Sequence, residues 1–363
     1  MSFTLIHPCQ PLSSSCSYFQ PNLFTAINCS GSNVPNFLPK SCENGYHIER
    51  GLEFSTGNAF FRQESATGRD LAVLAASLHK KGNGSLRVLD ALCGCGIRSL
   101  RYLAEAEADF VAANDGNENY GSTVVENLSR VSREEEGKWV VTHLEANRVM
   151  MDYYLKKSFF DFIDVDSFGS DSSFLRSAIS TLKLGGLLYV TSTDGYSSGG
   201  HRPHQHYGYI GYCHQCGNSH EFSWDQLGQM SCSCSVPKVS NSLVVSGPLW
   251  TGPLHDAPYL MDMLNLAKQW GWIGCDGKDS LEKLIKLMVD ESDPKLPSGY
   301  IKLDEMASRA KINSPPLKTL MSAMHQKGYA ASRSHISTNA IKTNCPMTEC
   351  IKIAKELLQV SIA

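Results

Sequence analysis

The stretch Arg87–Arg101, RVLDALCGCGIRSLR, decides the fold. It reads as a short apolar strand (Val88, Leu89) ending in Asp90, then a turn of small residues, then a helix opening at Ile97. Gly94 and Gly96, at the carboxyl end of such a strand, let backbone N–H groups approach whatever lies in the crevice there. The turn therefore points to a nucleotide-like cofactor, with Asp90, Gly94 and Gly96 beside it. Glycine turns between strands and helices are common, so discrimination has to come from the flanking sequence.

Outward from this turn the pattern alternates. Apolar strands are predicted near residues 86–91, 110–114, 138–142, 159–165 and 187–193. Helical spacing fills the gaps: Ile97/Leu100/Leu103, Val124/Val125/Leu128, Val149/Tyr153 and Phe174/Ala178/Leu182. Strand–helix alternation of this kind gives a Rossmann-like α/β fold, a parallel sheet wound by right-handed crossovers. Ligands of such sheets sit at the carboxyl ends of the strands, and polar residues recur there. Asp115 follows the second strand, Glu145-Ala146-Asn147 the third, and Asp166-Ser167-Phe168-Gly169 the fourth. A carboxylate after the second strand accepts both hydroxyls of a ribose. The G-x-G-x-x-G fingerprint is missing and no pyrophosphate cradle is evident, so an adenosine without phosphates fits better, namely S-adenosylmethionine. The alternative for Asp115 is a helix N-cap. Asp166 is placed to accept a hydrogen bond or a proton from an exocyclic amino group, and Phe168 to stack on the attached ring; the alternative is a capping Asp and a core Phe. Upstream, Asp70 is expected to cap a helix carrying Leu71, Leu74 and Leu78 on one face. Arg69 beside it opposes the helix dipole, which suggests a carboxylate partner.

Composition sets the bounds. The chain has 363 residues, a net charge of −3 and thirteen cysteines. That length holds two domains, and no apolar run approaches a membrane span. With no global basic field, a nucleic-acid partner must be held by a local patch. An odd cysteine count in a chain of this size indicates a reducing compartment, with metal binding for a subset. Residues 1–42 contain no Asp or Glu and are rich in Ser, Pro and Asn. Residues 1–45 are read as a disordered leader, either a plastid or mitochondrial transit peptide or a tail with no address on a nuclear or cytoplasmic protein.

Cys213-x2-Cys216 and Cys232-x-Cys234 are two close pairs separated by a loop, the spacing of a four-thiolate structural zinc site. A disulfide or reactive dithiol is the alternative. Beyond them, helical patterns cover 257–271 and 280–290. Leu303–Lys311 and Leu317–Gly328 then read as two helices around Pro315-Pro316, and Tyr329–Thr343 as a two-stranded wing. That is a winged-helix layout, which can grip nucleic acid. Between residues 295 and 345 there are eight Lys/Arg against two acids, and Lys318, Lys327, Arg333 and Lys342 are the expected nucleic-acid phosphate contacts.

Taken together, these motifs resemble the tRNA guanine-N2 dimethyltransferases that act on the guanine at position 26. The resemblance rests on Gly68-Arg69-Asp70-Leu71, ALCGCGIRSLRY, Ala113-Asn114-Asp115, Glu145-Ala146-Asn147, Asp166-x-Phe168-Gly169, Thr193-Asp194 and Gly247-Pro-Leu-Trp-Thr-Gly252. It implies that Arg69, Arg98, Asp115, Glu145 and Ala146 contact S-adenosylmethionine and that Asp166 is the catalytic carboxylate. Ser167 stands where the family usually has Pro, and Glu145 where it usually has Asp. The implied domains are 46–205 (methyltransferase), 206–254 (zinc-binding) and 255–363 (tRNA-binding), with no protein partner evident. Between Thr193-Asp194 and the cysteines the family carries a longer segment that completes the sheet. A shortened form, with the fifth strand as a bare edge, is therefore expected. A non-catalytic tRNA-binding protein and a methyltransferase for another amine are the competing functions.

Overall fold

The computed structural model describes residues 2–8, 21–26, 46–131, 137–167, 172–192, 207–226, 228–234, 243–274 and 280–360. Two short strands, β1 (Ser2–Pro8) and β2 (Pro21–Ala26), precede a hairpin of β3 (Tyr46–Glu49) and β4 (Leu52–Ser55) and the helix α1 (Ala66–Asn83). The alternating part follows as β5 (Arg87–Asp90), α2 (Ile97–Ala104), β6 (Phe110–Asn114), α3 (Gly121–Ser129) and β7 (Trp139–Thr142). It continues with α4 (Ala146–Leu155), β8 (Phe160–Asp166), α5 (Ser172–Thr181) and β9 (Leu182–Ser192). Each strand expected from the sequence is present, within a few residues of its expected limits.

The sheet order is β2-β1-β9-β8-β5-β6-β7. Strands β7, β6, β5, β8 and β9 are mutually parallel. Val88, Leu89, Phe162, Ile163, Leu188 and Val190 are fully or almost fully buried, since helices cover the sheet. The order reverses beside β5, so the crevice between the carboxyl ends of β5 and β8 is the switch point where ligands bind. One expectation changes: the β9 edge is not bare. β1 pairs antiparallel with β9, from Ser2 opposite Ser192 to Ile6 opposite Leu188, and β2 pairs antiparallel with β1. Part of the leader thus forms strands, and the sheet does not stop at its fifth parallel strand.

The chain then runs through β10 (Tyr207–Cys213), β11 (Ser219–Ser223) and β12 (Leu243–Trp250), which form a sheet in the order β11-β10-β12. Two helices follow, α6 (Ala257–Gln269) and α7 (Ser280–Asp290). Next come β13 (Ile301–Lys302), α8 (Leu303–Ala310), α9 (Leu317–Gln326), β14 (Ala331–Arg333), β15 (Ala340–Thr343) and α10 (Met347–Val360). Two compact units result: Met1–Ser197 with Pro258–Ile285, and Ser198–Ala257 with Lys286–Ala363. The boundary differs from the sequence expectation at 255, because most of α6 and the first half of α7 belong with the first unit. Tyr259 on α6 donates to the Ala75 carbonyl of α1 at 3.2 Å, and Arg101 stacks on the Trp272 ring at 5.0 Å.

In the second unit α8, α9 and α10 pack around Leu303, Met306, Leu320, Met324, Ile341 and Ile353. The final helix is part of this core. No helix among the described residues is long and apolar enough to cross a membrane.

Candidate active site

Gly94 and Gly96 have φ of +55° and +82°, a region that side chains rarely adopt. A Cβ on Gly96 would also lie 3.1 Å from Val124, so this turn needs glycine at both positions. Asp115 follows β6 and closes onto the turn. One carboxylate oxygen accepts from the Gly94 N–H at 2.9 Å and the other from the Asn117 N–H at 2.9 Å. Buried Asn114 donates to the Ala91 and Leu144 carbonyls at 3.0 and 2.9 Å, which knits the segments after β5, β6 and β7 together.

A cavity of about 410 Å³ opens here. Gly94, Arg98, Asp115, Asp166 and Ser167 are among its lining residues, with Phe60, Phe61, Arg62, Tyr120 and Phe174. This size suits a nucleoside-like ligand. Phe60 is 56% exposed, and its ring is an aromatic face at the cavity that the sequence reading assigned no role. The signal for it in the sequence is the Phe60-Phe61-Arg62 run ahead of the Arg69 helix.

Two arginines expected at the cofactor line this cavity with their charge already paired. Arg69 binds both oxygens of Glu49, at 2.9 and 3.0 Å from its Nε, and donates to the Arg62 carbonyl at 3.1 Å. Its carboxylate partner exists, but on β3. Asp70 is not a cap: α1 begins four residues earlier, and Asp70 is buried against Arg50 and Arg101. Arg98 donates through Nε to Asp166 at 3.0 Å and through Nη1 to Asp164 at 3.4 Å.

Asp166 ends β8, and its other oxygen accepts from the Thr191 hydroxyl of the neighbouring strand. Burial opposes its charge, yet Arg98 and the Thr191 hydrogen bond outweigh burial and hold the carboxyl below the usual range. Asp164, two residues earlier, is pushed up to about 6 by burial, against the pull of Arg98. Asp90 is pushed up too, by burial and then by the nearby Asp164.

Four residues expected at the cofactor, Asp90, Gly96, Glu145 and Ala146, are not among those lining the cavity. Asp90 is fully buried beneath the turn and accepts from Ser99 at 2.7 Å. Glu145 caps α4, accepting from the Asn147 and Arg148 N–H groups at 3.0 and 2.9 Å. Ala146 is core, packed with Val149 and Met150. Phe168, Gly169, Thr193 and Asp194 lie outside the described residues.

In the second unit the four expected thiols converge. Cys213 Sγ lies 3.4 Å from Cys234 Sγ, Cys216 Sγ 3.5 Å from Cys232 Sγ, and Cys232 Sγ 3.4 Å from Cys234 Sγ. His220 Nε2 is 3.3 Å from Cys232 Sγ. Of the expected tRNA contacts, Lys318 and Arg333 are exposed, while Lys327 is paired with Glu356 at 2.6 Å. Lys342 requires a correction. It is 2% exposed, its ammonium lies 3.0 Å from Glu291, and β15 is the central strand of its sheet, covered on both faces. His335 Nδ1 is 2.8 Å from the same carboxylate, and His255 Nε2 is 3.8 Å away. His255, Glu291 and His335 could converge on a metal ion, but the Lys342 ammonium already neutralises the carboxylate.

A glycine turn and strand-end carboxylates around one cavity, at the switch point of a parallel sheet, define an α/β protein of the nucleotide-cofactor-binding class. The model of the family described as N2,N2-dimethylguanosine tRNA methyltransferase matches residues 47–207 and 200–355. The chain belongs to that family. It is 27% identical over 354 residues to a tRNA (guanine(26)-N(2))-dimethyltransferase of Pyrococcus abyssi, covering 79% of this chain and 90% of the relative. A Schizosaccharomyces pombe protein of the same name is 27% identical, covering 71% of this chain and 61% of the relative. Among solved structures, Trm1 from Pyrococcus horikoshii in complex with S-adenosyl-L-methionine has the same fold. Its TM-score is 0.67 and its identity 23%, covering 85% of this chain and 99% of that one.

Proposed function

We propose that this protein methylates the exocyclic N2 of guanine 26 in tRNA, using S-adenosylmethionine, to N2-methyl- and N2,N2-dimethylguanosine. The observation that carries this reading is the single cavity that joins Asp115 and the glycine turn to Asp166. Asp115 and the Gly94 turn would hold the adenosine part. When bound, S-adenosylmethionine supplies an electrophilic methyl on a sulfonium; the N2 lone pair forms the new N–C bond, the C–S pair stays on sulfur, and N2 loses one proton. Asp166, held ionised, accepts an amino N–H and aims the lone pair. A base inside a folded tRNA must leave its stack to reach this cavity, and the Phe60 ring offers it a planar face.

Four thiolates at 2.3 Å from a tetrahedral zinc would lie about 3.8 Å apart, close to the 3.4–3.5 Å separations of the cysteine cluster. We therefore assign Cys213, Cys216, Cys232 and Cys234 to structural zinc. α8, α9 and the β14–β15 hairpin are read as a winged helix whose exposed Lys318 and Arg333 meet tRNA phosphates.

The test is transfer of labelled methyl from S-adenosylmethionine to unmodified tRNA by the purified chain. Transfer is expected to wild-type tRNA and not to tRNA carrying adenine at position 26; equal transfer to both would refute the site. A second reading, a tRNA-binding protein without activity, has its own support. The family match falls into two pieces that meet at residues 200–207. In addition, 79% of this chain is fewer than the 354 aligned positions, so the relative has residues with no counterpart here. Binding of tRNA without any transfer would favour that reading.

A further inference from the structure

The sheet register stacks charge behind the cavity. Asp90 on β5 lies beside Asp164 on β8, and Asp166 lies beside Thr191 on β9. The Arg98 side chain is 5% exposed and reaches Asp164 and Asp166 together, with its guanidinium carbon 5.2 Å from the Tyr189 ring centroid. The Tyr102 hydroxyl donates to the same Asp164 oxygen that Arg98 reaches. Arg98 is held by two carboxylates and a ring, Asp164 by Arg98 and a tyrosine, and Thr191 by its strand.

We propose that Arg98 and Thr191 are positioning residues that fix Asp166, one on each oxygen, so that it meets the amino group as an oriented hydrogen-bond acceptor and takes a proton only after the attack. The inference rests on the N2-methylation reading and adds to it the way the carboxylate works. A carboxylate has about four lone-pair directions. Two of them are taken by Arg98 and Thr191, so the remaining ones are fixed in direction. A carboxylate held by an arginine and a hydroxyl is also a weakened base. It therefore orients the amino group before attack and takes a proton only once the nitrogen has become acidic by gaining its new bond. The charged and titratable groups facing Asp166 are Arg98 on α2, Asp164 on β8 itself, Asp90 on β5, Tyr189 on β9 and Arg69 on α1. Of these, Arg98 is in direct contact with its carboxylate.

Thr191→Val removes the hydroxyl and keeps the shape, and Thr191→Ser restores the hydroxyl. The test is carbon-13 titration of labelled aspartate carboxyls, with Asp166→Asn assigning the resonance, alongside kcat for tRNA and calorimetric binding of S-adenosylmethionine. In T191V the Asp166 midpoint should rise by about one pH unit and kcat should fall on the order of tenfold. Cofactor affinity should stay within about twofold, and T191S should recover both values. Arg98→Lys, which cannot bridge two carboxylates, should raise the midpoint further. An unchanged midpoint in T191V, or equal behaviour of T191V and T191S, overturns the inference. If wild-type protein transfers no methyl at all, the functional reading fails while the titration still decides the positioning.

Discussion

Replacing Lys342 by methionine separates two accounts of one residue. If Lys342 were a phosphate contact, K342M would weaken tRNA binding, lower the salt slope by about one unit, and leave folding stability alone. Inside the second unit the outcome differs. Glu291 and Lys342 side chains are 0% and 2% exposed, so removal of the ammonium strands a buried carboxylate. Breaking such a pair costs about 3–5 kcal/mol. Because Glu291 still accepts from the His335 N–H and lies 2.8 Å from His335 Nδ1, the lower end, about 3 kcal/mol, is expected. That is roughly a 150-fold drop in the folded-to-unfolded ratio. Urea unfolding monitored by hydrogen exchange in β15 reads it, with tRNA affinity measured at two salt concentrations on the same protein. Glu291→Gln combined with K342M should recover part of the loss, since no charge then remains unpaired. An unchanged midpoint together with a reduced salt slope would falsify the internal pairing.

Other outcomes follow from the same geometry. Cys213→Ser should reduce zinc below one equivalent per chain by elemental analysis after purification under reducing conditions; full zinc content in C213S would remove the site. Asp115→Ala should weaken S-adenosylmethionine binding about 10–100-fold by calorimetry while tRNA affinity holds, and equal losses of both would point to a collapsed turn. Phe60→Ala should lower kcat/KM for tRNA on the order of tenfold without changing cofactor binding, as expected for one lost stacking face. Burial, outweighing the pull of Glu291, lowers His255 to about 4. An unfolded chain therefore takes up this proton first, and stability present above about pH 6.5 should drain away towards pH 4, by up to about 3 kcal/mol. His255→Gln should flatten that slope, and an unaltered slope would show that another group titrates.

The parallel sheet was legible because each strand is a short apolar run and each helix keeps its 3.6-residue spacing. Asp115 and Asp166 were legible for a related reason: in this architecture a polar residue ending a strand has few places to be. What the sequence concealed is pairing at a distance. Nothing near Arg69 announces Glu49, and nothing near Arg98 announces Asp166, yet these partners pair the charges of two arginines that line the cavity. Lys342 misled because a basic residue on a hairpin suggests an exposed wing. The third strand, β13, which makes β15 central and covered, is only two residues long. Strands β1 and β2 were hidden by the Ser, Pro and Asn around them.

Those two strands place a condition on any traffic of this protein between compartments. A peptidase that removed residues 1–26 on import would strip the border from β9, leaving the main-chain groups from Leu188 to Ser192 without their antiparallel partners. An open row of that kind is a template on which a second molecule can dock strand to strand. The same peptide cannot be both a disposable address and a permanent hem of the sheet. A matured form would therefore carry an exposed docking edge that the full-length chain covers with β1.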